Sequence, residues 1–280
     1  MIPIGKLKSN LLFNKNLGDL VEVMKLASTL QFNQFRLRKE PSDEPLHLLD
    51  DVFWALVSSG VKSDLLIVND ELPALFVVIT SDEGFLGELN FLLINKLLTS
   101  RRTQDHTACI GQQGENYLKE AQVNFSLFDS PGDKIDSARL AKVRDFILKE
   151  YSKRSVGKVY IIFSRFVNIA MQQIEIETLL PLPKAQSAAL KPVSNLLIEP
   201  DFSLVIEGWM KAWIDFRLYQ VFWSSKLAEL AARIMHLEGS VQELGKISSH
   251  LRMEYFKYLH GLSDKSIREL SAGRLLRKAN

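Results

Sequence analysis

The sequence predicts an α/β protein in which long N- and C-terminal helices pair as an antiparallel coiled coil around an inserted α/β domain. Three observations carry this prediction. Leu230, Ile234, Leu237, Val241, Leu244, Ser248, Leu251, Tyr255, Tyr258 and Leu262 alternate steps of four and three, and all but Ser248 are apolar. Phe13, Leu17, Leu20, Met24 and Ala27 repeat the same spacing near the N-terminus. Between these stripes, short apolar runs alternate with amphipathic stretches, the pattern of a largely parallel sheet flanked by helices.

The N-terminal spacing keeps one helix face apolar with a period near 3.5 residues, as in a coiled coil. Leu30, Gln34 and Leu37 continue the stripe until Pro41 and Pro45 interrupt it. A second helix is expected from Leu46 to Val57, ending near Ser59 and Gly60. Ala74 to Thr80 is a continuous apolar run, the signature of a strand covered on both faces. A turn at Ser81-Asp82-Glu83-Gly84 leads into a helix over Leu86–Leu98. Strands are expected at His106–Ile110 and Asn124–Phe128, and helices at Gln113–Ala121 and Ser137–Tyr151. Lys158–Ser164 and Ile169–Leu179 read as paired strands. Pro181, Pro183, Pro192 and Pro200 mark a linker out of the sheet, and no proline follows it.

From Ser203 to Lys278 the pattern is helical throughout. About 75 residues at 1.5 Å each would span roughly 110 Å, far more than the core of one ordinary domain. Gly239, Gly245, Gly261 and Gly273 are places where this helix could bend. The long C-terminal stripe needs a partner, and the N-terminal helix offers one. The division is therefore 1–60 for the N-terminal helical part, 61–200 for the α/β domain and 201–280 for the long C-terminal helix. The shorter N-terminal stripe leaves the far end of the C-terminal helix projecting alone unless other chains surround it.

The chain has 280 residues, 46% hydrophobic and 24% charged, which places it among globular proteins. Its net charge of +2 carries no nucleic-acid signature. The charge is unevenly spread. Residues 1–39 hold seven basic side chains against Asp19 and Glu22, whereas residues 40–60 hold five acids and no Lys or Arg. Basic ends fit an acidic partner, and they fit solvated helix faces as well. Cys109 is the single cysteine, which excludes an intrachain disulfide and fits a reducing compartment. Its apolar neighbours predict a buried, inert thiol. The N-terminus lacks the apolar core of a signal peptide. No apolar run approaches the ~20 residues of a membrane span, so any membrane link runs through another subunit.

The chemical templates fail. Ser81–Asn90 follows a strand and opens a helix, as a phosphate loop does, but lacks both G-x-G-x-x-G and G-K-[ST]. Glu83 and Glu88 would repel a phosphate. His47, His106, His236, His250 and His260 are scattered and form no metal-ligand spacing. No G-x-S-x-G elbow occurs. No catalytic, cofactor-binding or metal residue is therefore assigned. Trp209, Trp213, Phe216, Tyr219, Phe222 and Trp223, interleaved with Lys211 and Arg217, could stack nucleic-acid bases, but such a stripe is more often core.

Several segments together resemble the gamma subunit of F-type ATP synthases. Ser81-Asp82-Glu83-Gly84-Phe85-Leu86-Gly87-Glu88-Leu89-Asn90 is similar to that family's S-D-R-G-L-C-G-G-L-N. Met24-Lys25-Leu26-Ala27 resembles its A-M-K-M-V-A segment. Phe166-Val167-Asn168 and Leu179-Leu180-Pro181-Leu182 resemble its strand pair ending in L-L-P-L. Glu199-Pro200-Asp201 is similar to its E-P-D, Ala231-Ala232-Arg233-Ile234 to its A-A-R-M, and Glu269 with Gly273 to its terminal E-I-x-x-G. The likeness covers nearly the whole chain in the right order. The departures are Glu88 for a glycine, Gln31 and Glu238 for lysines, and Leu259-His260 for an Arg-Gln pair that contacts the catalytic subunits.

The resemblance implies a Rossmann-like inserted domain and a mechanical role without cofactors. The coiled coil would turn inside a ring of alternating catalytic and non-catalytic (alpha and beta) subunits. The α/β domain would stand on a membrane c-type rotor ring and hold a small epsilon-like stalk subunit. The protein would lie at the cytoplasmic face of the membrane, attached through other subunits. Candidate subunit contacts are Lys25, Arg36, Arg38, Lys39, Leu237, Leu244, Glu269, Arg274 and Arg277. Three alternatives have their own signatures. A paralogous rotor would copurify with a specialised ATPase complex, and an unrelated coiled-coil scaffold would purify without ATPase subunits. A nucleotide-binding α/β enzyme would bind nucleotide tightly on its own. Because every chemical template fails, the purified chain alone is expected to hydrolyse no ATP; turnover that copurifies with it and vanishes on mutating its own residues would overturn this.

Overall fold

The computed structural model describes residues 4–38, 41–58, 71–132, 134–181 and 201–278; within these, the side chains of 53–58, 202–203 and 273–278 are not described. Lys39, Gly60 and the prolines at 183, 192 and 200 lie outside the described residues. The elements in order are α1 (Ile4–Arg36), α2 (Glu44–Ser58), β1 (Ala74–Ile79), α3 (Leu89–Ser100), β2 (His106–Ile110), α4 (Gln112–Glu120), β3 (Ser126–Phe128), α5 (Ser137–Ser152), β4 (Lys158–Asn168), β5 (Met171–Leu180) and α6 (Phe202–Lys278). Pro45 stands in the first turn of α2, where its missing N–H costs nothing. Helix α3 starts three residues later than the sequence predicts, because Phe85 and Gly87 take left-handed backbone angles (φ 64° and 59°) in the turn before it.

The five strands lie in the order β3-β2-β1-β4-β5. β1 pairs in parallel with β2 and β4, β2 pairs in parallel with β3, and β5 closes the edge antiparallel to β4. The central strand is covered on both faces, so its sequence is continuously apolar rather than alternating. Phe76, Val78, Cys109 and Ile162 pack on one face with Leu89, Leu93 and Leu97 of α3 and Leu118 of α4. Leu75, Val77, Ile79, Ile110 and Ile161 pack on the other with Leu140, Val143 and Ile147 of α5 and with the start of α6. Cys109 is buried in this interior, and burial pushes its thiol up to about 12, which keeps it protonated and inert. Gly111 and Gly114 let α4 approach β1 closely. A side chain at Gly114 would stand 2.5 Å from Thr80 Oγ1 and 2.6 Å from Cys109 Sγ, and the Gly114 N–H donates to Thr80 Oγ1 at 3.0 Å.

The aromatic start of α6 is core. Trp209, Trp213, Phe222 and Trp223 are buried, and the Trp209 and Trp213 indoles donate to the Leu49 carbonyl at 2.7 Å and to Asp50 Oδ1 at 2.9 Å. Each indole thus finds a partner in α2 while its ring fills the interior. Contacts group residues 30–233 into one compact unit and residues 1–29 with 234–280 into another. The first 32 residues of α6, Phe202 to Arg233, therefore belong with the sheet.

In the second unit α1 and α6 run antiparallel. Asn14 donates to the Leu244 carbonyl at 2.9 Å and to Ser248 Oγ at 2.5 Å, while Lys25, farther along α1, meets Glu238, earlier in α6. The C-terminal stripe has the expected phase: Leu237 is buried, and Ile234, Val241, Leu244, Ser248, Leu251, Tyr255 and Tyr258 are half-buried. Leu262 departs from it at 47% exposed. Asn14 meets α6 near residues 244–248, so the start of α1, ten residues earlier, matches α6 near residue 258, and residues 261–272 are exposed as the sequence anticipates.

The N-terminal stripe is rotated about its axis and needs correcting: of the expected positions Leu17 and Met24 are half-buried, while Phe13, Leu20 and Ala27 are exposed. The residues that face inward are Leu7, Asn14, Val21 and Ser28, all buried at seven-residue intervals, with Leu11, Gly18 and Lys25 half-buried between them. Phe13 (68%), Leu20 (56%) and Leu30 (54%) are exposed instead. The same heptad period serves both sets; only the rotation about the axis differs. The α1 side of the seam mixes Leu7, Leu11 and Val21 with Asn14, Gly18, Lys25 and Ser28, and the polar side chains among these find partners. Asn14 bonds across the seam, and Ser28 Oγ donates to its own helix at the Met24 carbonyl (2.9 Å).

A Cβ at Gly245, inside α6, would meet nothing within 4 Å. Gly245→Ala is therefore expected to stabilise the chain by about 0.5–1 kcal/mol through helix propensity. Gly114→Ala is expected to destabilise it by about 1–3 kcal/mol through overpacking. Denaturant melts of both variants, with midpoints moving in opposite directions, would bear this out; parallel shifts would refute it.

Candidate functional site

In an open sheet with helices on both faces, ligands bind outside the carboxyl ends of the strands where the strand order reverses. Here that point lies between β1 and β4, since β1 leads to β2 on one side and β4 pairs with it on the other. The crevice is lined by Thr80, Ser81, Asn90, Ser130, Gly132 and Ser164, and helix α6 fills it with Phe222, Ser225, Lys226 and Glu229. The space left is about 20 Å³, the room of a single water and far below a nucleotide. The sheet has the shape of a nucleotide-binding domain with its binding place occupied by its own chain.

The turn that resembles a phosphate loop is bound internally. The Ser81 N–H donates to Asn90 Oδ1 at 3.2 Å, Asn90 Nδ2 donates to Ser81 Oγ at 2.8 Å, and Ser81 Oγ donates to the Glu83 carbonyl at 2.7 Å. Arg233 of α6 reaches the same turn. It is 5% exposed and meets Glu83 at 2.8 Å, Glu229 at 2.9 Å and the Gly84 carbonyl at 3.4 Å. Glu229 also pairs with Lys226 at 3.2 Å. A single sequence shows the A-A-R element but not its partner, because Glu83 lies 150 residues away; only the glutamate one turn before Arg233 was legible as a partner.

Lys25, Leu237 and Leu244 meet in the seam of the helix pair. Lys25 Nζ donates to Glu238 Oε2 at 2.9 Å. That hydrogen bond holds the Lys25 ammonium above its ordinary range, and the Glu238 carboxyl is held below its own by Lys25 and then Gln242. Glu238, which departs from the resembled pattern, thus has its counter-charge within the chain. Leu237 is buried at 1% exposure, and Leu244 is half-buried with its carbonyl bound by Asn14. Arg36 and Arg38 stand exposed at the end of α1, in the unit that holds the sheet, with the Arg38 guanidinium 5.3 Å from the Phe35 ring centroid. Glu269 is exposed and lies 3.9 Å from Lys265. Arg274 and Arg277 fall on the last turns of α6, and their side chains lie outside the described residues.

The outer faces of the helix pair are the feature that sequence reading missed. Leu12, Phe13, Leu20, Val23 and Leu26 of α1 and Met253, Phe256, Ile267 and Leu270 of α6 are each more than half exposed. Their excess over one stripe was visible in the sequence, as apolar residues recurring on two helix faces rather than one. Among the described residues no helix is long and apolar enough to cross a membrane, and no cluster of His, Cys, Asp and Glu is placed to hold a metal.

Comparison with known proteins agrees with this geometry. The model of the family described as ATP synthase matches residues 6–258. The chain is 22% identical to the ATP synthase gamma chain of Clostridium acetobutylicum, covering 92% of both chains. It is 25% identical to the gamma chain of Xanthomonas campestris pv. campestris, over 96% of this chain and 97% of that one. Among solved structures it is similar to a chain of the Euglena gracilis mitochondrial ATP synthase rotor, with TM-score 0.69, 17% identity and coverage of 92% of this chain and 98% of that one. A second Euglena gracilis structure, of OSCP, F1 and c-ring, contains a chain matching with TM-score 0.72 at 14% identity, over 99% of this chain and 95% of that one. These two likenesses concern the fold. With the family model spanning nearly its whole length, this chain belongs to the ATP synthase family as a gamma-type subunit, the non-catalytic central-stalk rotor of an F-type enzyme.

Proposed function

We propose that the chain transmits torque between a membrane c-type rotor ring and a ring of alternating alpha and beta subunits, with an epsilon-like subunit held on its sheet unit. The observation that carries this reading is the outer surface of the helix pair: Phe13, Leu20, Val23, Leu26, Met253 and Phe256 stand more than half exposed, while Asn14, Lys25 and Ser28 take inward positions of α1. An exposed apolar surface of that extent needs covering protein, and a ring closed around the pair would cover every face of it. A rotor also needs no chemistry of its own, which suits a sheet whose ligand crevice is filled by α6. That filling speaks against a nucleotide-binding enzyme, and the family match sets aside an unrelated scaffold. The protein would work as a peripheral subunit at the cytoplasmic face of the membrane, attached through its partners. Functionally it would divide as 1–60, 61–200 and 201–280: the ends as shaft, the middle as foot.

The candidate contacts fall into two groups in this reading. Lys25, Leu237 and Leu244 hold the shaft together and so present its outer faces. Arg36, Arg38 and Lys39 would meet acidic loops on the moving lobes of the catalytic subunits, while Glu269, Arg274 and Arg277 would reach the far sleeve of the ring. The charged contacts act collectively, since an exposed ion pair contributes only ~0–1 kcal/mol and is screened within about 10 Å at 0.1 M salt.

Leu237→Ala is expected to cost about 2–5 kcal/mol, with Leu244→Ala costing less because it is half-buried. Thermal midpoints of the assembled complex measure this, and unchanged midpoints for both would place the seam elsewhere. Changing Arg36, Arg38 and Lys39 together to Gln is expected to weaken ATP-driven rotation or pumping at low salt, with a smaller difference from wild type at high salt. Equal activity at both salt levels would defeat the contact and leave these residues as solvated ends.

A further inference from the structure

We propose that Arg233, through Glu83, is a positioning residue that fixes the rotational angle of α6 on the sheet unit and resists its twisting under load. Arg233 is the last residue of α6 that belongs to that unit; Ile234 already belongs to the helix pair. Torque carried along α6 would therefore enter or leave the sheet unit at this residue. Most of the α6 attachment below it is apolar, from Ile206, Met210 and Ile214 through Phe222 to Ala232. Apolar contact is non-directional and resists separation better than it resists rotation about the helix axis. The Arg233 guanidinium adds a directional contact at the upper end of that attachment, beyond the hydrogen bonds of Trp209, Trp213 and Ser224 and the ion pairs of Asp215 and Arg217 lower down. It is planar, presents its donors in a fixed fork, and meets three acceptors in different directions: Glu83 Oε2 at 2.8 Å, Glu229 Oε1 at 2.9 Å and the Gly84 carbonyl at 3.4 Å. Glu229 lies on the same helix, so it orients the guanidinium; Glu83 and Gly84 lie on the β1–α3 turn, so they are what it grips. That turn is itself stiff, held by the reciprocal Ser81–Asn90 bonds and by the left-handed Phe85 and Gly87. A clamp between a stiff turn and a helix stores no slack, as a shaft fixing requires. The filled crevice takes on a purpose beyond excluding ligand: the carboxyl end of β1 serves as the socket for the clamp.

The resistance to twisting under torque rests on the rotor reading, and the test separates the two. Hydrogen exchange on the full-length chain addresses the clamp. Glu83→Gln removes a charge whose side chain is 70% exposed, so folding should survive. The Ser81 and Leu89 amides, bonded within the gripped turn, should exchange about tenfold faster, the effect of losing one charge-assisted hydrogen bond. Amides of α6 between Trp209 and Leu218 should not change. Arg233→Lys should give a similar loosening, since a single ammonium cannot hold all three acceptors. Unchanged exchange at Ser81 and Leu89 in both variants would overturn the clamp. In the assembled complex, Glu83→Gln should lower ions pumped per ATP hydrolysed while the hydrolysis rate holds; a wild-type ratio in a variant whose turn is loosened would overturn its role in resisting torque. If the wild-type chain itself supports no pumping complex, the rotor reading falls, and the exchange data still decide the clamp.

Discussion

Helix α6 lies in the crevice where β1 and β4 part, and the sheet unit is arranged to hold it there. The residues that would otherwise receive a ligand, Ser81, Asn90 and Ser164, instead border Phe222, Ser225 and Glu229 of the same chain. This single packing choice fixes the order of the other elements. α5 shares one sheet face with the root of α6, α3 and α4 occupy the opposite face, and α2 is tied to the root of α6 by two tryptophan hydrogen bonds. Ser225 Oγ is buried in this lining with no hydrogen-bond partner among the described residues, a cost accepted where a helix replaces a ligand.

Charge is spent sparingly and locally. Arg217 pairs with Glu177 across from β5, Arg144 with Asp215 between α5 and α6, and Arg165 with Glu175 along the edge hairpin. Each joins α6 to the sheet layers or braces the edge strand, and each is partly open to solvent, so register rather than stability is their main contribution. The Lys25–Glu238 pair plays the same part between the two helices of the shaft. Arg36 and Arg38, at the end of α1, stay exposed.

Much of the fold was legible because its signals are local. The buried β1 run, the Gly-bearing turns and the prolines near the element ends each act within a few residues, and all five strands stand within a few residues of where they were expected. The stripe on α6 was legible in both period and phase, since its inward positions are also its most consistently apolar ones. On α1 the period was legible and the phase was not. Asn14, Gly18, Lys25 and Ser28 occupy the inner seam, and hydropathy assigns such residues to the outside. What decides their side is a partner helix carbonyl for Asn14 and a partner carboxylate for Lys25, both more than 200 positions away. The Arg233–Glu83 contact was hidden for the same reason, since no periodicity links a turn to a distant helix.

An outer surface of Phe13, Leu20, Val23 and Leu26 has one more consequence for a part that turns. Hydrogen bonds and ion pairs favour particular angles, and a shaft held by them would move in jerks between deep wells. Contacts of the apolar kind change little in energy as one side chain slides past the next, because their strength follows area rather than alignment. The same surface that demands a cover would therefore also lubricate it: what the shaft lacks in grip along its length it gains in low friction, leaving the angular preferences of the motor to the few polar places where the shaft does bind.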